Sequence, residues 1–99
     1  MPVASGFYIA YIDVPTAFSP NNDGNNDVLY VVGENIKTFR LEMFDRFGNK
    51  VFETDNMKNG WDGTKNGELL EPSVFFYQLF YNSFYNKSYI LKGNVTLFR

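Results

Sequence analysis

The sequence predicts an all-β fold, an immunoglobulin-like sandwich of two antiparallel sheets with about seven short strands, and three observations carry that reading. Turn signals built from Gly, Asn, Asp and Pro recur at roughly 8–12-residue spacing, as in sandwich domains. Between them lie runs dense in Val, Ile, Tyr, Phe and Thr, side chains that suit a pleated, half-buried surface. No stretch shows apolar residues at the i, i+3, i+4 spacing of an amphipathic helix.

The elements follow in order. Residues 7–14, Phe-Tyr-Ile-Ala-Tyr-Ile-Asp-Val, read as a strand that Pro15 breaks or bulges. Thr16-Ala17-Phe18 continues as an edge segment, because a neighbouring Pro cannot donate to a central ladder. Residues 28–32 are a short strand closed by Gly33-Glu34-Asn35. Residues 36–45 alternate most clearly, with Phe39, Leu41 and Met43 on one face and Arg40, Glu42 and Phe44 on the other. The turn Arg46-Phe47-Gly48-Asn49 returns the chain antiparallel through residues 50–54. After a polar connection, Trp61 reads as a large core plug with its indole N–H on a nearby carbonyl rather than as a ligand platform, and Asn66-Gly67 marks another turn. Residues 74–81 are apolar on both faces, which fits a central strand or a strand along a surface that something else covers. Residues 82–87 turn the chain into a closing strand over 88–99. The inter-sheet core is expected from Phe39, Leu41, Met43, Val51 or Phe52, Trp61 and one face of residues 74–81.

Composition narrows the function. The 99 residues are enough for one core, not two. Nine Lys+Arg against eleven Asp+Glu give a net charge of −2 with no basic run, so a nucleic-acid partner is disfavoured. The chain has neither His nor Cys, which removes the usual general base, the thiolate nucleophile and the imidazole metal ligand; an enzyme is not expected. No apolar run is long enough to span a bilayer. Aromatic residues make up 19% of the chain, more than a core of this size can hide, so some must line a surface.

One stretch is too polar to be an ordinary connection: Phe18-Ser19-Pro20-Asn21-Asn22-Asp23-Gly24-Asn25-Asn26-Asp27. Asn and Asp oxygens accept from nearby backbone N–H groups, and Gly24 takes φ > 0 without steric cost, so the plainer reading is a self-bonded loop that needs no metal. The same oxygens could face a calcium ion, with Asp23 and Asp27 as charged ligands, Asn21 beside them and Asp62 as the third carboxylate. An EF-hand register fails, because Ser19 and Tyr30 would fall where the first carboxylate and the bidentate Glu belong.

The order of motifs says more than any one of them. Val14-Pro15-Thr16-Ala17-Phe18-Ser19-Pro20-Asn21 is followed by Asp23-Gly24 and Asn26-Asp27, then by Phe44-Asp45-Arg46-Phe47-Gly48, Val51-Phe52, Gly60-Trp61-Asp62-Gly63 and Asn66-Gly67. The chain closes on Gly93-Asn94-Val95-Thr96-Leu97-Phe98-Arg99. From Val14 onward this resembles the gliding-motility-associated C-terminal domain, the type B sorting domain of the Bacteroidota type IX secretion system. The departures are Ser73-Val74 where the family commonly has Gly, and Phe47 where it commonly has Trp.

The resemblance implies a non-enzymatic sorting domain at 14–99, with residues 1–13 an expression-derived start, a linker or the end of a preceding cargo region that could donate a strand. It implies an N-terminally attached cargo, passage through the periplasm to the cell surface or medium, and recognition by an outer-membrane secretion component or a shuttle protein. A monomer is expected. The residues expected to meet that partner are Phe76 and Phe80 on the aromatic strand and Lys92, Leu97, Phe98 and Arg99 on the closing one. A calcium-stabilised immunoglobulin-like adhesion or carbohydrate-binding module is the alternative. It would need two or three coplanar rings in a groove.

Overall fold

The β-prone runs become nine strands in the computed structural model, which describes residues 10–99; no helix occurs among them, and therefore none long and apolar enough to cross a membrane. The strands are β1 (Tyr11–Asp13), β2 (Ala17–Phe18), β3 (Val32–Glu34), β4 (Ile36–Phe44), β5 (Lys50–Thr54), β6 (Thr64–Lys65), β7 (Glu68–Leu69), β8 (Ser73–Ser83) and β9 (Ser88–Leu97). The all-β expectation holds, while the arrangement differs from a seven-stranded antiparallel sandwich. One five-stranded sheet, ordered β2-β9-β8-β4-β5, carries the domain, and two two-stranded ribbons, β1-β3 and β6-β7, accompany it.

The main sheet is mixed. β2 runs parallel to β9, pairing Ala17 with Thr96 and Phe18 with Leu97. Pro15 and Pro20 bracket β2 and lack the N–H a longer ladder would need, so the pairing stops after two residues. The other pairs are antiparallel, with a bulge at Met43/Phe44 where β4 meets β5. The extra residue is Val51 on β5, between the partners of Met43 and Phe44, while the β4-β8 register runs unbroken through Phe44 opposite Phe76.

The expected strand over 28–32 is a second correction. Leu29 forms only an isolated bridge to Trp61, and the ladder starts at Val32. Gly33 lies inside β3 instead of closing it, against the Tyr11 carbonyl, where a Cβ would come within 2.8 Å of that oxygen. The turn into β4 is made by Asn35, at φ 60°. Of the strand expected over 7–14, Tyr11–Asp13 is present as β1; residues 7–9 lie outside the described residues. β1 lies ahead of Val14 and pairs antiparallel with β3.

The inner face of the main sheet supplies Phe39, Leu41 and Met43 from β4, Phe75 and Leu79 from β8, and Val95 and Leu97 from β9. Val14, Leu29, Val31 and Trp61 from the opposite side complete the core, with Phe18 and Val51. Trp61 is at the centre, 1% exposed. Its ring meets Phe75 edge-on at 5.0 Å, Phe18 at 5.3 Å and Phe52 at 6.3 Å. Its Nε1–H donates to the Thr64 carbonyl at 2.9 Å, the partner a buried indole needs. Its backbone exchanges two hydrogen bonds with Leu29, at 2.8 and 2.9 Å. Gly60 makes that approach possible, since a Cβ there would lie 2.5 Å from Val28 Cγ1. The Gly-Trp sequence is therefore a packing requirement.

Candidate recognition surface

Two regions gather the sequence-predicted residues, and they are built in opposite ways. The first is the polar loop over 19–27. Left-handed backbone at Asn22 (φ 67°), Gly24 (φ 85°) and Asn26 (φ 53°) coils it so that its N–H groups converge on the Asp27 carboxylate. Asp27 Oδ1 accepts from the N–H of Asn21 at 3.1 Å and Asn22 at 3.0 Å, and Oδ2 accepts from Gly24 at 2.8 Å. Asn21 Oδ1 accepts from the Asp23 N–H, and Asp23 Oδ1 from the Asn25 N–H. Desolvation raises the Asp27 pKa, but the N–H groups of Gly24, Asn22, Asn21 and Asp23 together outweigh it and hold the carboxyl below its ordinary value.

Asp62 closes its own turn, accepting from the Thr64 N–H at 3.1 Å and the Thr64 hydroxyl at 2.6 Å. Asp27, Asn21 and Asp62 do border one depression, together with Arg99. Among the described residues, however, no three acidic side chains converge as a cation site would require. The N–H groups of Asn21, Asn22 and Gly24 turn toward Asp27, and the Arg99 guanidinium borders the same depression. The donor set fits an internal anion.

Arg99 belongs to the same end of the molecule. Its guanidinium donates to the carbonyls of Leu70 (2.7 Å), Pro20 (3.0 Å) and Gly63 (3.3 Å), tying the polar loop to the Trp61-Asp62-Gly63 segment and to the entry into β8. Gly63 sits at φ 82° with Leu97 Cδ1 and Pro20 Cγ each 3.0 Å from where a Cβ would be. Leu97, expected to face a partner, is 1% exposed and part of the core. Of the two residues that follow it, Phe98 is exposed and hydrogen-bonded through its N–H to the Phe18 carbonyl, while Arg99 is committed to its own chain.

The second region is the outer face of the main sheet. Register places three rows across it: Phe44, Phe76 and Asn94; Glu42, Gln78 and Lys92; Arg40, Phe80 and Ile90. Val74, Phe76 and Ile90 are exposed there, and Phe44 and Phe80 are half-buried. At the β5 side, Glu42 and Glu53 take Arg40 and Lys50 in a closed set of ion pairs, with Lys50–Glu42 at 3.0 Å. Hydrogen bonding from Lys50 foremost, with Arg40 added, holds the Glu42 carboxyl below its ordinary value. Phe76, Phe80 and Lys92 thus share a face. Phe44, Gln78 and Ile90 join them, and only the β4-β8-β9 register, which the sequence does not display, brings these six together. Turn chemistry closes the upper rim: the Asp45 carboxylate accepts from the N–H groups of Phe47 and Asn49, leaving Arg46 stacked on Phe47 at 5.0 Å.

The four ring pairs among the described residues include no platform on that face. Three converge on Trp61 in the core, and the fourth is the cross-strand stack of Tyr81 on Tyr89, at 4.9 Å.

Asp27, Asp45 and Asp62 are bound into turns and Glu42 and Glu53 into ion pairs, while one broad sheet face is left partly apolar and open, a surface of the kind that another protein can cover. The chain is a member of the CHU_C family, the type IX secretion signal domain, whose family model matches residues 12–97. The match starts at Ile12 in β1, two positions ahead of Val14, and runs to Leu97 at the end of β9. No curated protein matches the chain.

Proposed function

We propose that this domain is a sorting signal that directs an N-terminally attached cargo protein through the outer-membrane type IX translocon to the cell surface or the medium. It acts as a folded surface and not as an enzyme. The family match over almost the whole described chain carries the reading. The architecture supports it: recognition of a folded domain requires a contiguous surface that stability does not consume, and the outer face of the main sheet, with Phe76, Phe80, Ile90 and Lys92, is such a surface. The partner is an outer-membrane secretion component or a shuttle protein, met after passage through the periplasm.

The test is a fusion of this domain behind a periplasmic reporter in a bacterium with a working type IX system. Export of the reporter to the medium or the cell surface is expected, and retention in the periplasm of a folded, undegraded fusion would refute the proposal.

A further inference from the structure

We propose that the open edge of β9 from Ile90 to Asn94 takes up an extended strand of the partner, one that carries an acidic side chain beside Lys92 and an apolar one two positions away beside Ile90. The identification of that partner as an export component rests on the secretion-signal reading; the edge itself does not.

β9 is paired with β8 along its length, from Leu97 opposite Ser73 to Ser88 opposite Asn82. On its other flank, among the described residues, lies only β2, which covers Thr96 and Leu97. The N–H groups of Thr96 and Phe98 donate to the carbonyls of Thr16 and Phe18, so the even-numbered residues of β9 turn their backbone groups away from β8. With the two-residue period of a strand, Asn94, Lys92 and Ile90 aim theirs at the same flank, where no strand lies among the described residues. All three side chains are exposed, Ile90 at 63%. A bare row of donors and acceptors of this kind is a template for strand addition.

Chemistry selects the occupant. The four ion pairs among the described residues all lie within Arg40, Glu42, Lys50 and Glu53 and cancel one another; none involves Lys92. Lys92 therefore presents uncompensated positive charge on this flank, while Ile90 and its cross-strand neighbour Phe80 present apolar surface one step along the same face. A second copy of this chain is a poor occupant, because antiparallel pairing centred on the open stretch would set Lys92 against Lys92. Lys on an edge strand is also a common device against indiscriminate pairing. Here it would admit an acidic strand and turn others away.

The probe is a labelled peptide, Thr-Val-Thr-Asp-Thr-Val-Thr, whose symmetry offers Val two positions from Asp in either strand direction. Fluorescence anisotropy with the whole domain should show saturable binding. N-methylation of the Asp and Val amides, or in a second peptide of the Thr amides, should abolish binding in one pattern and spare it in the other, which also reports the strand direction. Lys92→Glu should weaken binding on the order of three- to tenfold, and replacing Asp by Lys in the peptide should restore it. Melting curves check that the variant is folded, and the N-methyl series needs no variant at all. Absence of saturable binding, or binding indifferent to both N-methyl patterns, overturns the proposal, as does concentration-dependent dimerisation that the peptide cannot displace. Failure here with export intact rejects the edge alone; failed export with the edge binding intact rejects the secretion reading.

Discussion

Removing Trp61 should damage this domain more than any other single truncation. Trp61→Ala empties a site that is 1% exposed and withdraws ring contacts with Phe18, Phe52 and Phe75 on three different elements. It also leaves the Thr64 carbonyl without the indole donor. Truncations of this kind cost about 3–5 kcal/mol, against a total stability of roughly 5–15 kcal/mol for a domain. At about 4–8 °C per kcal/mol for a chain of this length, a loss near the middle of that range lowers Tm by about 16–32 °C. Trp61→Phe separates the contributions, since it keeps a ring in the site and gives up the Nε1–H bond and part of the volume; about 1–3 kcal/mol is expected. Because Trp61 is the sole Trp, unfolding of the variants has to be followed by far-ultraviolet circular dichroism in urea instead of indole fluorescence. A loss under about 1 kcal/mol for Trp61→Ala would show that the Trp61-centred core does not hold the two sides of the domain together.

Three further outcomes follow from the loop end and the sheet face. The Asp27 and Asp45 carboxyls both have folded pKa values below their ordinary 3.8, so their contribution is complete above that pH and is lost as pH falls through the folded values; acid melts should show a stability loss below about pH 4 that is smaller in Asp27→Asn. Calcium and chelator should give the same Tm, because the Asp27 oxygens face N–H groups; a rise with millimolar calcium would instead support ligation by Asp23, Asp27 and Asp62. Arg99→Gln should lower Tm, by loss of the bonds to Leu70, Pro20 and Gly63, whereas Lys92→Ala should change stability by no more than about 0.5 kcal/mol and reduce export of a reporter fusion. Equal export defects in variants of equal Tm loss would assign both residues to stability.

Period and turn chemistry carried much of the fold into the sequence. The alternation in β4 identifies Phe39, Leu41 and Met43 as core because one face of that strand is buried and the other is not. Asn66-Gly67 supplies two successive left-handed residues, φ 54° and 83°, and so closes the β6-β7 hairpin. What stayed hidden had no period to show. β2 is two residues long and pairs in parallel with a strand at the far end of the chain, so nothing near Ala17 announces its partner. In the run over 28–32 every residue is apolar or aromatic, and alternation cannot be read from a uniform pattern; burial falls on Leu29 and Val31 while Tyr30 and Val32 are exposed. The loop was legible in its residues and illegible in its direction, since Asn and Asp side chains serve equally to bind a cation outward or to accept N–H groups inward. The left-handed φ values at Asn22, Gly24 and Asn26 turn the N–H groups toward Asp27.

The same distinction separates the two candidate surfaces. The loop end is richer in polar chemistry, yet Asp27, Asp62 and Arg99 spend hydrogen bonds on groups of their own chain, backbone groups throughout except for the Thr64 hydroxyl at Asp62. A partner competing for them would have to break bonds that the fold already makes, and the net gain per exchanged bond would be small. On the outer face the balance is reversed. Phe76 and Ile90 are exposed where their burial by a partner is a gain, and Lys92 takes part in none of the ion pairs among the described residues. A domain that must stay folded while another protein reads it is better served by this division, with a saturated end that fastens the chain and an unsaturated face that does not. Variants can then alter recognition without altering stability, as Lys92 should and Arg99 should not.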